Sequence, residues 1–180
     1  MEPTANPQKL VLLGETKDEF GGSIWQQISG AGLNGLPPQV DLGNEAKLGE
    51  FFAAAAGQGL IAASHDLSEG GLGVAAFEMA KSHGVGVDLD LSVVHADAFT
   101  ALFSESASRV LVAVDTEKEA AVLSQAAALG ISAVTVGETN DSGNFSFNGQ
   151  SVAITDLRTA WSATLPNLFG HAVGANSVVE

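Results

Sequence analysis

Two hydrophobic rhythms alternate along the chain, and the switches between them mark out short elements. Lys9 to Leu13 is a compact apolar run stopped by Gly14, which predicts a short buried strand. A brief helical stretch is expected at Ile24 to Ile28, followed by a loop rich in Gly, Asn and Pro from Ala31 to Asn44. Leu48, Phe51, Phe52 and Ala55 recur at helical spacing, with Asn44 as the expected N-cap and Gly57 or Gly59 as the stop. Leu60 to Asp66 reads as a short strand that runs into a helix carrying Leu72, Ala76, Met79 and Ala80 on one face and ending at Gly84. Val85, Val87, Leu89 and Leu91 alternate with Gly86, Asp88 and Asp90, the pattern of a half-buried strand.

The second half continues in the same way. His95 to Phe103 is expected as a short helix and Ser108 to Asp115 as a strong central strand. Thr116 is the expected cap of a helix reaching Gly130, with acids in its first turn. Ser132 to Thr139 is a strand, Asn148-Gly149 is the turn of a hairpin, and the helix that begins at Leu157 is expected to end at Pro166. Helices intermixed with strands predict an α/β (α+β) single domain with a mixed sheet over residues 9–166, flanked by flexible ends at 1–8 and 167–180.

Composition sharpens this picture. A 180-residue chain can bury about 70% of its unfolded surface and needs no disulfide or metal staple. With 46% hydrophobic and 16% charged residues it has the make-up of a folded globule. The net charge of −14, from 21 acids and 7 bases, repels phosphate backbones and anionic bilayers, so no nucleic-acid or membrane partner is expected. There is no cysteine, which removes thiol nucleophiles and zinc ribbons and suits a reducing, cytoplasmic setting. The polar N-terminus carries no signal pattern and no run approaches the length of a membrane span.

Chemistry could reside in two polar clusters. The first is His65, Asp66, Ser68, Glu69, Gly70 and Gly71, within "SHDLSEGGLGVAAFEMA". His65 could act as a base or hydrogen-bond an anion, although a histidine at a strand end is more often simply held by its neighbours. Asp66 or Ser68 could cap the following helix, with Glu69 as the capping-box acid. The glycine pair permits the close backbone approach with which helix starts cradle phosphates. The second cluster, Ser104, Glu105, Ser106 and Arg109 in "FSESASRVLV", precedes the strongest strand, and its plain structural reading is a Glu105–Arg109 pair that stiffens a turn. Because each cluster adjoins an apolar strand, both are expected at one edge of the sheet, lining one groove in which Arg109 and glycine N–H groups could hold an anion. P-loop, calcium-loop, H-E-x-x-H and nucleophile-elbow motifs are all missing, and no metal ligands or catalytic residues are assigned.

Taken in order, "LLGETKDEFGGS", "ASHDLSEGGLGVAAFEMA", "LFSESASRVLVAV" and "VTVGET" resemble the C-terminal domain of phosphoribosylformylglycinamidine synthases. The resemblance runs from about Leu10 to Trp161, and "HDLSEGGL" is its most specific part; relatives such as thiamine monophosphate kinase and selenophosphate synthetase carry other motifs there. It implies a three-layer α/β/α domain with about four to six strands. It also implies ATP-dependent amidation of a formylglycinamide ribonucleotide with glutamine-derived ammonia, with ATP and Mg2+ bound mainly outside this segment. The implied partners are an ATP-binding domain, the first-half domains of the same synthase, a glutamine amidotransferase subunit and a small accessory subunit. The implied site for Ser104, Glu105 and Ser106 is an auxiliary one, and the segment alone is expected to be inactive. Competing readings are a freestanding binding or structural module, or a domain of a related synthetase or kinase.

Overall fold

The computed structural model describes residues 7–30, 32, 34–82 and 84–168. The strands are β1 (Gln8–Leu13), β2 (Ala63–Asp66), β3 (Gly86–Leu89), β4 (Val110–Asp115), β5 (Ala133–Asn140), β6 (Asn144–Phe147) and β7 (Gln150–Ala153). They form one sheet in the order β2-β4-β1-β5-β3-β6-β7, antiparallel throughout except for the parallel pair β3 and β6. The helices are α1 (Ile24–Ile28), α2 (Leu42–Gly57), α3 (Gly71–Lys81), α4 (Ala98–Phe103), α5 (Glu119–Ala128) and α6 (Ile154–Leu168). Seven strands exceed the expected four to six, because the hairpin strands β6 and β7 extend the sheet through β3.

Side-chain alternation along the central strands explains the layering. Leu10 and Leu12 of β1, with Leu111 and Ala113 of β4, join a core built with α3, α4 and α6. Val11 and Leu13, with Val112 and Val114, face the other way into a core built with Phe51 of α2 and Val122 of α5. A strand covered by helices on both faces must be apolar at every position, which is why β1 and β4 read as continuous apolar runs. The result is a helix–sheet–helix sandwich.

Several local expectations shift. Asp41, not Asn44, caps α2, its carboxylate accepting from the N–H groups of Gly43 and Asn44. Asp41→Ala should cost about 1 kcal/mol, read as a lower urea midpoint at unchanged slope. Thr116 caps nothing through its side chain; it opens a 3-10 turn, and its hydroxyl donates to the Pro7 carbonyl. The half-buried alternation expected from Val85 to Leu91 is present, with Asp88 and Asp90 exposed, but the strand itself is shorter, Gly86–Leu89. β3 lies between β5 and β6 with Val87 and Leu89 in the core, and Leu91 belongs to the 3-10 turn after it. Pro166 lies inside α6 and does not end it. At Asn148-Gly149 both residues have positive φ, 47° and 75°, as the expected hairpin turn requires. Of the segments expected to be flexible, Gln8 is in β1 and 167–168 are in α6, while 1–6 and 169–180 lie outside the described residues. Among the described residues no helix is long and apolar enough to cross a membrane.

Candidate functional site

Antiparallel pairing brings the two polar clusters together. Asp66 at the end of β2 lies opposite Val110 at the start of β4. The ladder continues one step further, with the Leu67 N–H donating to the Arg109 carbonyl at 3.0 Å. The segment after β2 therefore meets the segment before β4.

The turn between β2 and α3 depends on its glycines. Gly70 and Gly71 take φ values of 78° and 61°, and the Gly71 N–H closes the turn on the Ser68 carbonyl at 3.2 Å. A Cβ on Gly71 would collide with the carbonyl oxygens of Ser104 and Leu102. This turn overrides the expected cap. Gly70 occupies the N-cap position of α3 without any side-chain bond, and the Ser68 hydroxyl donates to the Asp66 carboxylate at 2.8 Å. The left-handed Gly70 is itself the N-cap, four residues beyond Asp66 and one beyond Glu69, so Asp66, Ser68 and Glu69 form no capping box.

The group facing the start of α3 is Glu105. Its Oε1 accepts the N–H of Gly70 at 2.8 Å and the N–H of Ile24, the first residue of α1, at 3.0 Å. One carboxylate thus takes up amides at two helix starts, where negative charge is favoured. The anion seat suggested by the glycine pair is filled by the protein itself.

Ser104, Ser106 and Arg109 are buried, each no more than 2% exposed. They fasten the segment after β1. The Ser104 hydroxyl donates to the Lys17 carbonyl, the Lys17 N–H donates to the Ser106 hydroxyl, and the Glu105 N–H donates to the Glu19 carbonyl. Arg109 donates from Nε to the Ser106 carbonyl at 2.9 Å and from its terminal nitrogens to the Ser104 carbonyl and the Thr16 hydroxyl. Burial pushes its guanidinium down to about 10, opposed by the nearby Glu19 and Glu105 charges, so it stays charged at neutral pH. No Glu105–Arg109 ion pair forms, because the carboxylate is engaged with amides and the guanidinium with carbonyls.

What remains open is a cleft of about 300 Å³ lined by His65, Asp66, Ser68, Glu69, Gly71 and Glu78. His65 Nε2 stands 3.3 Å from a Glu78 oxygen, and its Nδ1 lies 2.7 Å from its neighbour's backbone carbonyl. The clusters adjoin, yet only the first opens to this cleft; Ser104, Ser106 and Arg109 point into the fold. Three acids around one histidine make the cleft repel anions. Among the described residues no group of three or more His or acidic side chains is placed to hold a metal ion.

Sequence reasoning missed Glu78, Glu19 and Thr16. Glu78 lies seven residues beyond Gly71, two turns along the same helix face, and this spacing could have placed it beside the turn. Nothing local connects Thr16 or Glu19 to a segment some 90 residues away in the sequence.

The model of the AIR synthase related protein C-terminal domain matches residues 7–150. Phosphoribosylformylglycinamidine synthase subunit PurL of Corynebacterium ammoniagenes is 70% identical over 97% of this chain, which spans 23% of that subunit's length. Thermotoga maritima PurL superposes with a TM-score of 0.75 in its complex with FGAR (19% identity; 87% of this chain, 28% of that one) and 0.70 in its complex with ATP (21% identity; 87% and 26%). Thiamine-monophosphate kinase from Stenotrophomonas maltophilia shares the fold more distantly, with a TM-score of 0.59 at 15% identity over 84% of this chain and 53% of that one. From Pro7 to Gln150, then, the chain is a C-terminal domain of the AIR synthase related family, and it belongs to that family.

Proposed function

We propose that the chain is the C-terminal domain of the second half of a phosphoribosylformylglycinamidine synthase. In the proposed reaction ATP phosphorylates the amide oxygen of the formylglycinamide ribonucleotide. Ammonia derived from glutamine then displaces phosphate to leave the amidine. Support comes from the 70% identity to a synthase subunit across nearly the whole chain.

Within that enzyme the two polar clusters serve architecture. The observation that carries this reading is the Glu105 carboxylate in the amide seat at the start of α3. The residues present do not fit ATP or Mg2+ either. The Gly70 amide is taken by Glu105 and the Gly71 amide by the Ser68 carbonyl, and the open cleft is acidic without a three-ligand metal set among the described residues. ATP, its magnesium and the contacts to the formylglycinamide ribonucleotide therefore fall to the other domains of the synthase. The cleft lined by His65, Asp66, Ser68, Glu69 and Gly71 faces the neighbouring ATP-binding domain, with the amidotransferase and small accessory subunits completing the assembly.

Complementation tests the reading. A Corynebacterium ammoniagenes subunit whose matching segment is replaced by this chain should restore purine-independent growth to a synthase-deficient strain. Failure of that chimera, alongside success of the parental subunit, would refute the proposed function. The 180-residue chain alone, assayed with ATP, ammonia and the formylglycinamide ribonucleotide, should form no amidine product; measurable turnover would contradict its assignment as a supporting domain.

A further inference from the structure

An apolar groove of about 430 Å³ lies away from the acidic cleft, between α3, α4, α6 and the β6–β7 hairpin. Phe77, Phe99, Phe103, Phe147, Val152 and Leu157 are among its walls. At one end the aromatic lining continues outward, with Trp25 edge-on to Phe99 at 4.9 Å and Phe99 against Phe103 at 5.1 Å. At the other end lies α6. Ile154 is buried in the core and Leu157 packs against it, while Trp161, Leu165 and Leu168 are 54%, 64% and 74% exposed. With 3.6 residues per turn, all five fall within about 80° of one another around the helix. Trp161 carries the Lys81 ammonium over its ring at 3.7 Å, and beyond it the face that docks α6 onto the domain continues through Leu165 and Leu168, which are largely uncovered among the described residues.

An uncovered stripe in register with a buried one marks a surface that another body covers. The length of the relatives indicates which body. This chain spans 23% of the Corynebacterium ammoniagenes subunit, so more than three-quarters of that polypeptide lies outside it. We propose that the outer face of α6, together with the aromatic groove, is where this domain packs against an apolar face of the remaining synthase polypeptide. This rests on the function proposed above and adds the surface through which that function is exerted.

Leu165→Asp/Leu168→Asp tests it in two settings. In the isolated 180-residue chain both side chains face solvent, so the thermal midpoint should not change. In the purified chimera the same pair should lose its partner surface. Amide exchange in α6 should be at least about tenfold slower in the chimera than in the isolated chain, and the double substitution should abolish that difference and reduce growth. Equal exchange in the two settings, or a variant chimera that exchanges and grows like its parent, would overturn the inference while leaving the proposed function intact. A chimera that never complements would remove the proposed function, and this inference with it. If sedimentation shows the isolated chain dimerising, and the double substitution abolishes the dimer, the occupant is a second copy and the inference is likewise overturned.

Discussion

Gly71→Val should lower the stability of the domain by about 3 kcal/mol or more and its thermal midpoint by about 10 °C. Two costs combine. A β-branched residue is strained at φ 61°, and its Cβ would be driven into the carbonyl oxygens of Ser104 and Leu102. Ser104 cannot retreat easily, since its carbonyl also accepts from Arg109 and its hydroxyl is committed to the Lys17 carbonyl. Gly49→Ala provides the contrast. That glycine is exposed within α2, with open space around it, so alanine there should stabilise by about 0.5–1 kcal/mol. Circular-dichroism melts of the two variants check both signs. An unchanged midpoint for Gly71→Val would mean that close packing at the turn is not a constraint.

Arg109→Leu should cost about 3 kcal/mol. The substitution strands the buried carbonyls of Ser104 and Ser106 and the Thr16 hydroxyl, and it removes the cation facing Glu19 and Glu105. Arg109→Lys should recover only part of the loss, because an ammonium cannot reproduce the planar fork that spans two carbonyls and a hydroxyl. Urea unfolding measures the loss, and hydrogen exchange should show the segment from Thr16 to Ile24 opening first, since it is held by the same knot. Wild-type stability in Arg109→Leu would show that the guanidinium does not hold this region.

The core was legible because burial on both faces leaves a plain mark. The apolar runs of β1 and β4 and the stripes of α2 and α3 stand out from polar surroundings, and Asn148-Gly149 specifies its turn by backbone chemistry alone. The site was legible only in part. The local sequence Asp66-Leu67-Ser68-Glu69 satisfies the rule for a capping box, yet the left-handed Gly70 takes the N-cap position and the helix starts only at Gly71, out of reach of Asp66. Glu105 and Arg109 look like a local pair, but each is claimed by long-range partners, Glu105 by Gly70 and Ile24, Arg109 by Thr16. Those partners are dictated by the antiparallel order β2-β4-β1, and strand order is set by the packing of the whole sheet rather than by any local pattern. The overhang of α6 was hidden for a related reason, since Pro166 has the look of a helix stop whereas the helix runs on to Leu168.

Glu105, and not a bound ligand, fills the seat formed by the Gly70 and Ile24 amides, and amide NMR of the 180-residue chain tests this directly. Inorganic phosphate and then ATP would be titrated against a chloride control of matched ionic strength. The Gly70 and Ile24 signals should track the chloride control throughout, because the carboxylate already accepts both amides. A saturable shift of both signals with phosphate or ATP would show that the seat is open to ligands, contradicting the architectural role assigned to these two clusters.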